Sequence, residues 1–173
     1  EQLFSDLVSV AAQNDPLSTY IMTDAQGYGD FSGDGGIAVL SRVAIGPVTD
    51  FSPLLWRDLP GATLPPMSDA VAAVQRLSST SHWIVQIDLP DGPLHLMAFA
   101  ATPPVFDGIE DRNGLRNRDE LRLWTRVLDG AFGPAPDSFV IAGNANLDPL
   151  AGEGLRAAMG EFLADPRVQD PLP

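Results

Sequence analysis

Apolar residues recur at helical spacing at Leu3, Phe4, Leu7, Val8 and Ala11. That period predicts an amphipathic helix over Glu1–Gln13, and Asn14-Asp15-Pro16 ends it because proline cannot continue a helix. Thr19–Thr23 reads as a short strand. Asp24–Gly36 holds five Gly and three Asp and reads as a loop. Ile37–Val43 is an apolar run bounded by turn residues, the pattern of a buried strand. Pro47–Ser68 is Pro-rich and irregular, with Trp56 expected to pack over a core edge. Met67–Leu77 reads as a short helix.

A change of period follows. Trp83, Val85, Ile87 and Leu89 alternate with His82, Ile84, Gln86 and Asp88. Alternation of this kind places successive side chains on opposite faces of a strand. Pro90-Asp91-Gly92-Pro93 has turn chemistry, and Leu94–Ala101 returns, so the two runs predict a β-hairpin. Thr102–Arg116 is a long polar loop. Asn117 with Glu120 has the spacing of a capping box. Leu121, Trp124, Val127 and Leu128 form the apolar stripe of the helix after it, and Gly130 closes that helix. Phe139–Ala142 is the next strand. Leu155, Met159, Phe162 and Leu163 are the buried positions of a last helix, stopped at Asp165-Pro166. Helices and strands are mixed and strands pair in a hairpin, so the class is α/β or α+β, in a single domain over 1–173.

Composition narrows the partners. The chain has 173 residues, is 45% hydrophobic and contains 16 Gly and 16 Pro, which is a globular composition with many turns. Its net charge of −13 opposes the phosphate backbone that nucleic-acid binders meet with Lys and Arg, which disfavours general action on duplex DNA. The absence of cysteine excludes disulfides and thiolate chemistry. No apolar run is long enough to span a bilayer, and no signal peptide is visible. The start at Glu1-Gln2-Leu3-Phe4, without Met, reads as a mature or trimmed product, with export to the periplasm or medium as the accompanying expectation.

The candidate chemistry lies at Ser138–Pro149. An apolar run ends there in Gly143-Asn144-Ala145-Asn146, followed by Asp148-Pro149. Amides at the end of a buried strand sit where α/β folds commonly place their chemistry. An Asn-rich turn that caps itself is the alternative. Three further segments bear on this. Gly35-Gly-Ile-Ala-Val-Leu-Ser-Arg42 follows the pattern G-[NG]-x-A-[IV]-L-S-R. Leu94–Pro104 is a strand running into Thr-Pro-Pro. Phe106–Arg122 contains Glu-Asp-Arg-Asn-Gly and Arg-Asn-x-Asp-Glu. In order and spacing, from about Asp24 to Pro171, the chain resembles the endonuclease/exonuclease/phosphatase superfamily, the DNase I-like hydrolases, in one bacterial branch.

The resemblance implies a sandwich of two mainly antiparallel sheets flanked by helices, and metal-dependent phosphoester hydrolysis with Mg²⁺, Mn²⁺ or Ca²⁺. It implies as substrate a small phosphoester or a nucleic-acid end. Gly143–Asn146 falls on the family's G-D-x-N motif. Asn144 then stands where the family has the Asp that activates water, and Asn146 keeps the Asn that holds phosphate. An amide has no ionisable proton acceptor, so Asn144 cannot act as a general base. Ala100 stands where this branch commonly has a His. The family's early metal-binding Glu and late Asp-His pair are not visible, so the chain reads as a family domain incomplete at both ends.

The remaining candidates divide between chemistry and structure. His82 is the one candidate proton donor, or a strand-edge residue bonded to neighbouring backbone. His95 reads as a sheet-surface residue. In the crowded loop Asp107–Asp119, Arg112, Asn113 and Arg116 are candidates to hold a phosphate. Asp111, and Asp148 beyond the Asn turn, are candidates to ligate a divalent ion through oxygen. A self-capped loop in which Asp and Arg pair is the structural alternative. Asp24–Gly36 fits no EF-hand spacing. Two functional classes follow: a phosphoester hydrolase-like enzyme, and a catalytically degenerate scaffold that binds a ligand or protein. A weaker third is an acidic, calcium-stabilised exported domain.

Overall fold

The structure, a computed structural model, describes residues 35–171. The helix expected over Glu1–Gln13, the strand over Thr19–Thr23 and most of the loop Asp24–Gly36 lie outside the described residues. Among the described residues, four strands form one sheet: β1 (Ile45–Asp50), β2 (Ser81–Leu89), β3 (Gly92–Ala100) and β4 (Phe139–Asn144), in the order β1-β2-β3-β4. The β1–β2 and β2–β3 pairs are antiparallel, and β3–β4 is parallel. The fold is therefore mixed α/β with a mixed sheet.

The hairpin stands where the alternation places it. Leu89 and Gly92 face each other across the turn Pro90-Asp91, and Gly92 takes a φ of 124°, a value a side chain would disfavour. Its register puts His82 opposite Phe99 and Ile84 opposite Met97 on one face, with Val85 opposite Leu96 on the other. β4 joins β3 through a parallel crossover, which requires a long connection. That connection contains helix α2 (Arg112–Leu128). The short helices α1 (Asp69–Ala72) and α3 (Ala157–Leu163), with a 3-10 turn at Trp56–Asp58, complete the described elements.

Helix α2 covers the inner face of the sheet. Leu121, Leu123, Trp124, Val127 and Leu128 join Met97, Phe99, Leu77, Leu59 and Trp56 in the core cluster. The expected stripe Leu121, Trp124, Val127 and Leu128 is buried, and Gly130 closes the helix at a φ of 80°. Phe99 and Trp124 meet edge-on at 5.7 Å between ring centroids, the geometry aromatic pairs prefer. α3 packs beside α2 and carries Met159 and Phe162 against the same cluster. Leu155, Met159, Phe162 and Leu163 are only half-buried, and Ala158 is the buried residue of α3.

Several expectations are corrected. Ile37–Val43 forms no strand, and Leu40 is 91% exposed. The strand starts eight residues later, at Ile45, in a less apolar run, because Ile45–Asp50 is the segment that finds the free edge of β2. Pairing, not local hydrophobicity, decides which run becomes a strand. Its register shifts between Ile45 and Val48. Pro47–Asp50 is thus strand rather than irregular chain. Trp56 does not edge the core but lies within it, fully buried. Asn117 and Glu120 form no capping box, because α2 begins at Arg112 and both residues lie inside it with no solvent exposure.

The outer face of the sheet has a different character. Val48, Val85, Leu96 and Val140 stand opposite one another in a single aliphatic row across all four strands. None of the four belongs to the core cluster. Val85 near the centre is buried, whereas the flanking Val48 and Val140 are 53% and 47% exposed.

Candidate functional site

The parallel pairing of β3 and β4 brings their C-terminal ends to one edge of the sheet. Ala100 stands opposite Asn144, and the backbone N–H of Ala101 donates to Asn144 O at 2.9 Å. Beyond this pair the two exits stay together. Asn146 Nδ2 donates to Ala101 O at 2.8 Å, and Asn117 Nδ2 donates both to Thr102 O at 2.8 Å and to Ala145 O at 2.7 Å. Asn146 has a φ of 49°, left-handed backbone that Asn tolerates better than most residues. The Asn144 side chain closes the turn by accepting the Asn146 N–H through Oδ1 at 3.0 Å.

Gly143 is needed for this approach. A Cβ placed there would collide with the carbonyl oxygen of Phe99 on the neighbouring strand, which is backbone and cannot swing aside. The glycine of the Gly-Asn-Ala-Asn turn thus has a packing reason independent of any chemistry.

Asn144 and Asn146 are both exposed. Each carboxamide has two N–H donors. One from Asn146 is used on Ala101 O, and the Asn144 oxygen is used within the turn. The exits therefore present amide donors suited to an oxyanion. Ala100, opposite Asn144, supplies no imidazole. Asp148 lies just beyond the turn, with Oδ1 accepting from the N–H groups of Leu150 at 2.7 Å and Ala151 at 2.9 Å. Those two bonds hold its carboxyl below the usual carboxylate range.

His82 is not at this surface. It is fully buried between Phe99 and Trp124, 5.3 Å from each ring centroid. Its Nε2 faces Glu120 O at 3.2 Å, a carbonyl that can only accept, so Nε2 carries the proton. Nδ1 then accepts from the Ser78 hydroxyl at 2.9 Å. Burial lowers the pKa of His82 to about 3; the bond to the Glu120 carbonyl opposes this, and the charge of Arg116 adds to it. The imidazole is neutral near pH 7 and touches no solvent. This is the backbone-bonded alternative of the two that the sequence leaves open, with the residue in the core rather than at a strand edge.

The arginines nominated to hold phosphate are also inside. Arg116 is fully buried and donates to the carbonyls of Leu77 at 2.8 Å, Arg76 at 2.9 Å and Ser78 at 3.1 Å. Arg112, 5% exposed, donates to Gln75 Oε1 at 2.6 Å. Both pin the segment 75–78 to α2. Asn113 closes its own loop: its backbone N–H donates to Asp107 Oδ2, and its Nδ2 to Val105 O at 2.7 Å. Asp107 thereby caps the first turn of α2, the role that the sequence pattern assigns to Asn117. Asp111 precedes the helix at a φ of 49°. Its pKa is raised by desolvation and by the neighbouring Asp107.

Four buried polar residues of α2 organise the rest. Besides Arg116 and Asn117, Glu120 accepts from Ser79 N at 2.6 Å, Ser79 Oγ at 2.7 Å and Thr102 N at 2.7 Å. Burial raises its pKa, against the pull of Arg116 and these three donors. Asp119 Oδ2 accepts from Trp56 Nε1 at 2.8 Å and Thr63 N at 2.9 Å. The sequence pattern points to Asn117 and Glu120 as a cap and does not mark Asp119 as a core residue. The available signal was polar residues at 116, 117, 119 and 120, next to the apolar stripe and on more than one side of the helix.

Among the described residues, no three His, Cys, Asp or Glu side chains converge on one point. Asp111 and Asp148 are therefore not gathered into a group of three such side chains among the described residues. No described helix is long and apolar enough to cross a membrane. Comparison with known protein families, curated proteins and solved structures finds no match.

Proposed function

We propose that the chain is a phosphoester hydrolase-like domain of the DNase I-like superfamily that holds a phosphate at the exits of β3 and β4. The observation that carries this reading is the pair of exposed carboxamides, Asn144 and Asn146, fixed where two parallel strands end. Their N–H groups complement a phosphate oxygen without adding charge. The aliphatic row Val48, Val85, Leu96 and Val140 is, in the same reading, the interior of a two-sheet sandwich, since sheets that pack face to face bury alternating apolar residues. The net charge of −13 favours a small phosphoester or a nucleic-acid end over duplex DNA.

The second reading, a binding scaffold without turnover, is favoured by the chemistry of the turn. Neither Asn144 nor Ala100 offers a proton acceptor, and His82 is locked in the core. Hydrolysis of bis-p-nitrophenyl phosphate, with and without Mg²⁺ or Mn²⁺, separates the two. The enzyme reading expects metal-dependent turnover that Asn146→Ala abolishes while the circular dichroism spectrum is kept. Wild-type turnover by that variant overturns the role of Asn146. No turnover on this ester or on a panel of small phosphomonoesters selects the scaffold.

A further inference from the structure

We infer that Asn117 is a positioning residue that sets the Asn144–Asn146 turn from within helix α2, an inference that rests on the phosphoester reading of that turn. Asn117 has no solvent exposure, yet asparagine is a poor helix former that prefers caps and turns. Its place inside α2 needs a tertiary reason. The reason is geometric: one carboxamide nitrogen bonds two carbonyls on separate segments, Thr102 O after β3 and Ala145 O within the turn after β4. Both partners are pure acceptors, which fixes the orientation of the amide with Nδ2 towards them.

The clip is reinforced on one side. The N–H of Thr102 donates to Glu120 Oε2, one helical turn along α2, so both polar atoms of the Thr102 peptide backbone are held by the same helix. On the other side Ala145 lies between Asn144 and the left-handed Asn146. Moving the Ala145 carbonyl rotates the peptide that sets the Asn146 backbone. Asn117 therefore transmits the position of α2 to the two exposed amides without touching anything they bind. The sheet ladder alone does not do this, since its last pair is Ala100 with Asn144.

The test uses amide hydrogen exchange by NMR on the full chain, with two variants. Asn117→Leu keeps the branching at Cγ and removes the donor. It is expected to reduce protection at the amides of Ala101 and Asn146 about tenfold, the scale of one or two lost hydrogen bonds. The amides of Phe51 and Leu77, bonded to His82 O and Leu54 O, stay unchanged. Asn117→Asp guards against a variant that fails to fold. Its protonated carboxyl has one O–H to donate and its ionised form has none. Protection at Ala101 and Asn146, relative to wild type at each pH, is therefore partly retained at low pH, where one of the two bonds can form, and lost as the carboxyl ionises. At a bystander asparagine, ionisation of the buried carboxyl would cost stability generally and lower protection at Phe51 and Leu77 as well. Equal loss at all four amides, or no loss at Ala101 and Asn146, overturns the inference. Where wild type turns over bis-p-nitrophenyl phosphate, kcat falls in Asn117→Leu with KM held, and an effect on KM alone also overturns it. Absence of wild-type turnover counts against the phosphoester reading only, because the exchange result still decides the clip.

Discussion

His82 shows what the buried polar residues contribute and when that contribution fails. The unfolded chain takes up a proton on this imidazole near pH 6.5, whereas the folded chain holds it neutral to about pH 3. Between those values the unfolded state binds more protons, so stability is present above 6.5 and falls as pH drops through the window. The slope from this one group is about 1.4 kcal/mol per pH unit. Glu120 acts in the opposite sense. Burial raises its pKa, so its contribution is greatest below its unfolded value and declines as pH rises. Urea unfolding at pH values from 7 to 4 is expected to show falling stability in wild type. The fall should be shallower in His82→Gln, which removes the titrating ring; an unchanged slope in that variant would dissociate His82 from the acid response.

At the scale of elements, the hairpin and the apolar stripe of α2 were legible because each rests on local period. Pro90-Asp91-Gly92 needs no distant partner to turn, and Leu121, Trp124, Val127 and Leu128 share one helical face whatever they pack against. Ile37–Val43 failed as a strand because strand formation depends on a neighbour, and β2 offers its edge to Ile45–Asp50. Asn117 and Glu120 failed as a cap because their partners, Thr102, Ala145 and Ser79, are distant in sequence. The site was partly legible for the same reason. The Asn turn after a strand could be read directly. That Arg112, Arg116 and His82 are consumed by the fold depends on the segment 75–78 lying under α2, which no spacing reveals. Gly143 allows an element-scale test. Gly143→Ala forces a methyl group onto the Phe99 carbonyl, and overpacking of this kind costs about 1–3 kcal/mol. Thermal unfolding should show that loss, with faster amide exchange in β4 than in the β2–β3 hairpin. A neutral effect would mean that β3 and β4 are less closely paired than described.

For the whole molecule, 23 acidic against 10 basic side chains leave a field that opposes compaction. Exposed pairs such as Arg122–Glu161 and Arg167–Asp129 offset it only locally. Long-range repulsion between exposed charges is screened over about 10 Å at 0.1 M salt. Raising NaCl from low to moderate concentration is therefore expected to increase the melting temperature by about 2–4 °C, equivalent to roughly 1 kcal/mol for a chain of this size. A lower melting temperature in salt would mean that the surface ion pairs outweigh the repulsion.

The parallel seam between β3 and β4 also dictates an order of assembly. β2 and β3 close over a two-residue turn, whereas β4 meets β3 only after the chain has passed through α2. Closing the longer loop costs more entropy before any pairing rewards it, so non-local parallel strands form late. The carboxamides at the exits can take their places only once α2 has docked and β4 has arrived. Whatever those amides bind, the capacity to bind it is among the last properties that the folding chain acquires. A lesion in the core of α2 would then reach the surface turn without touching it, by keeping β4 from its place beside β3.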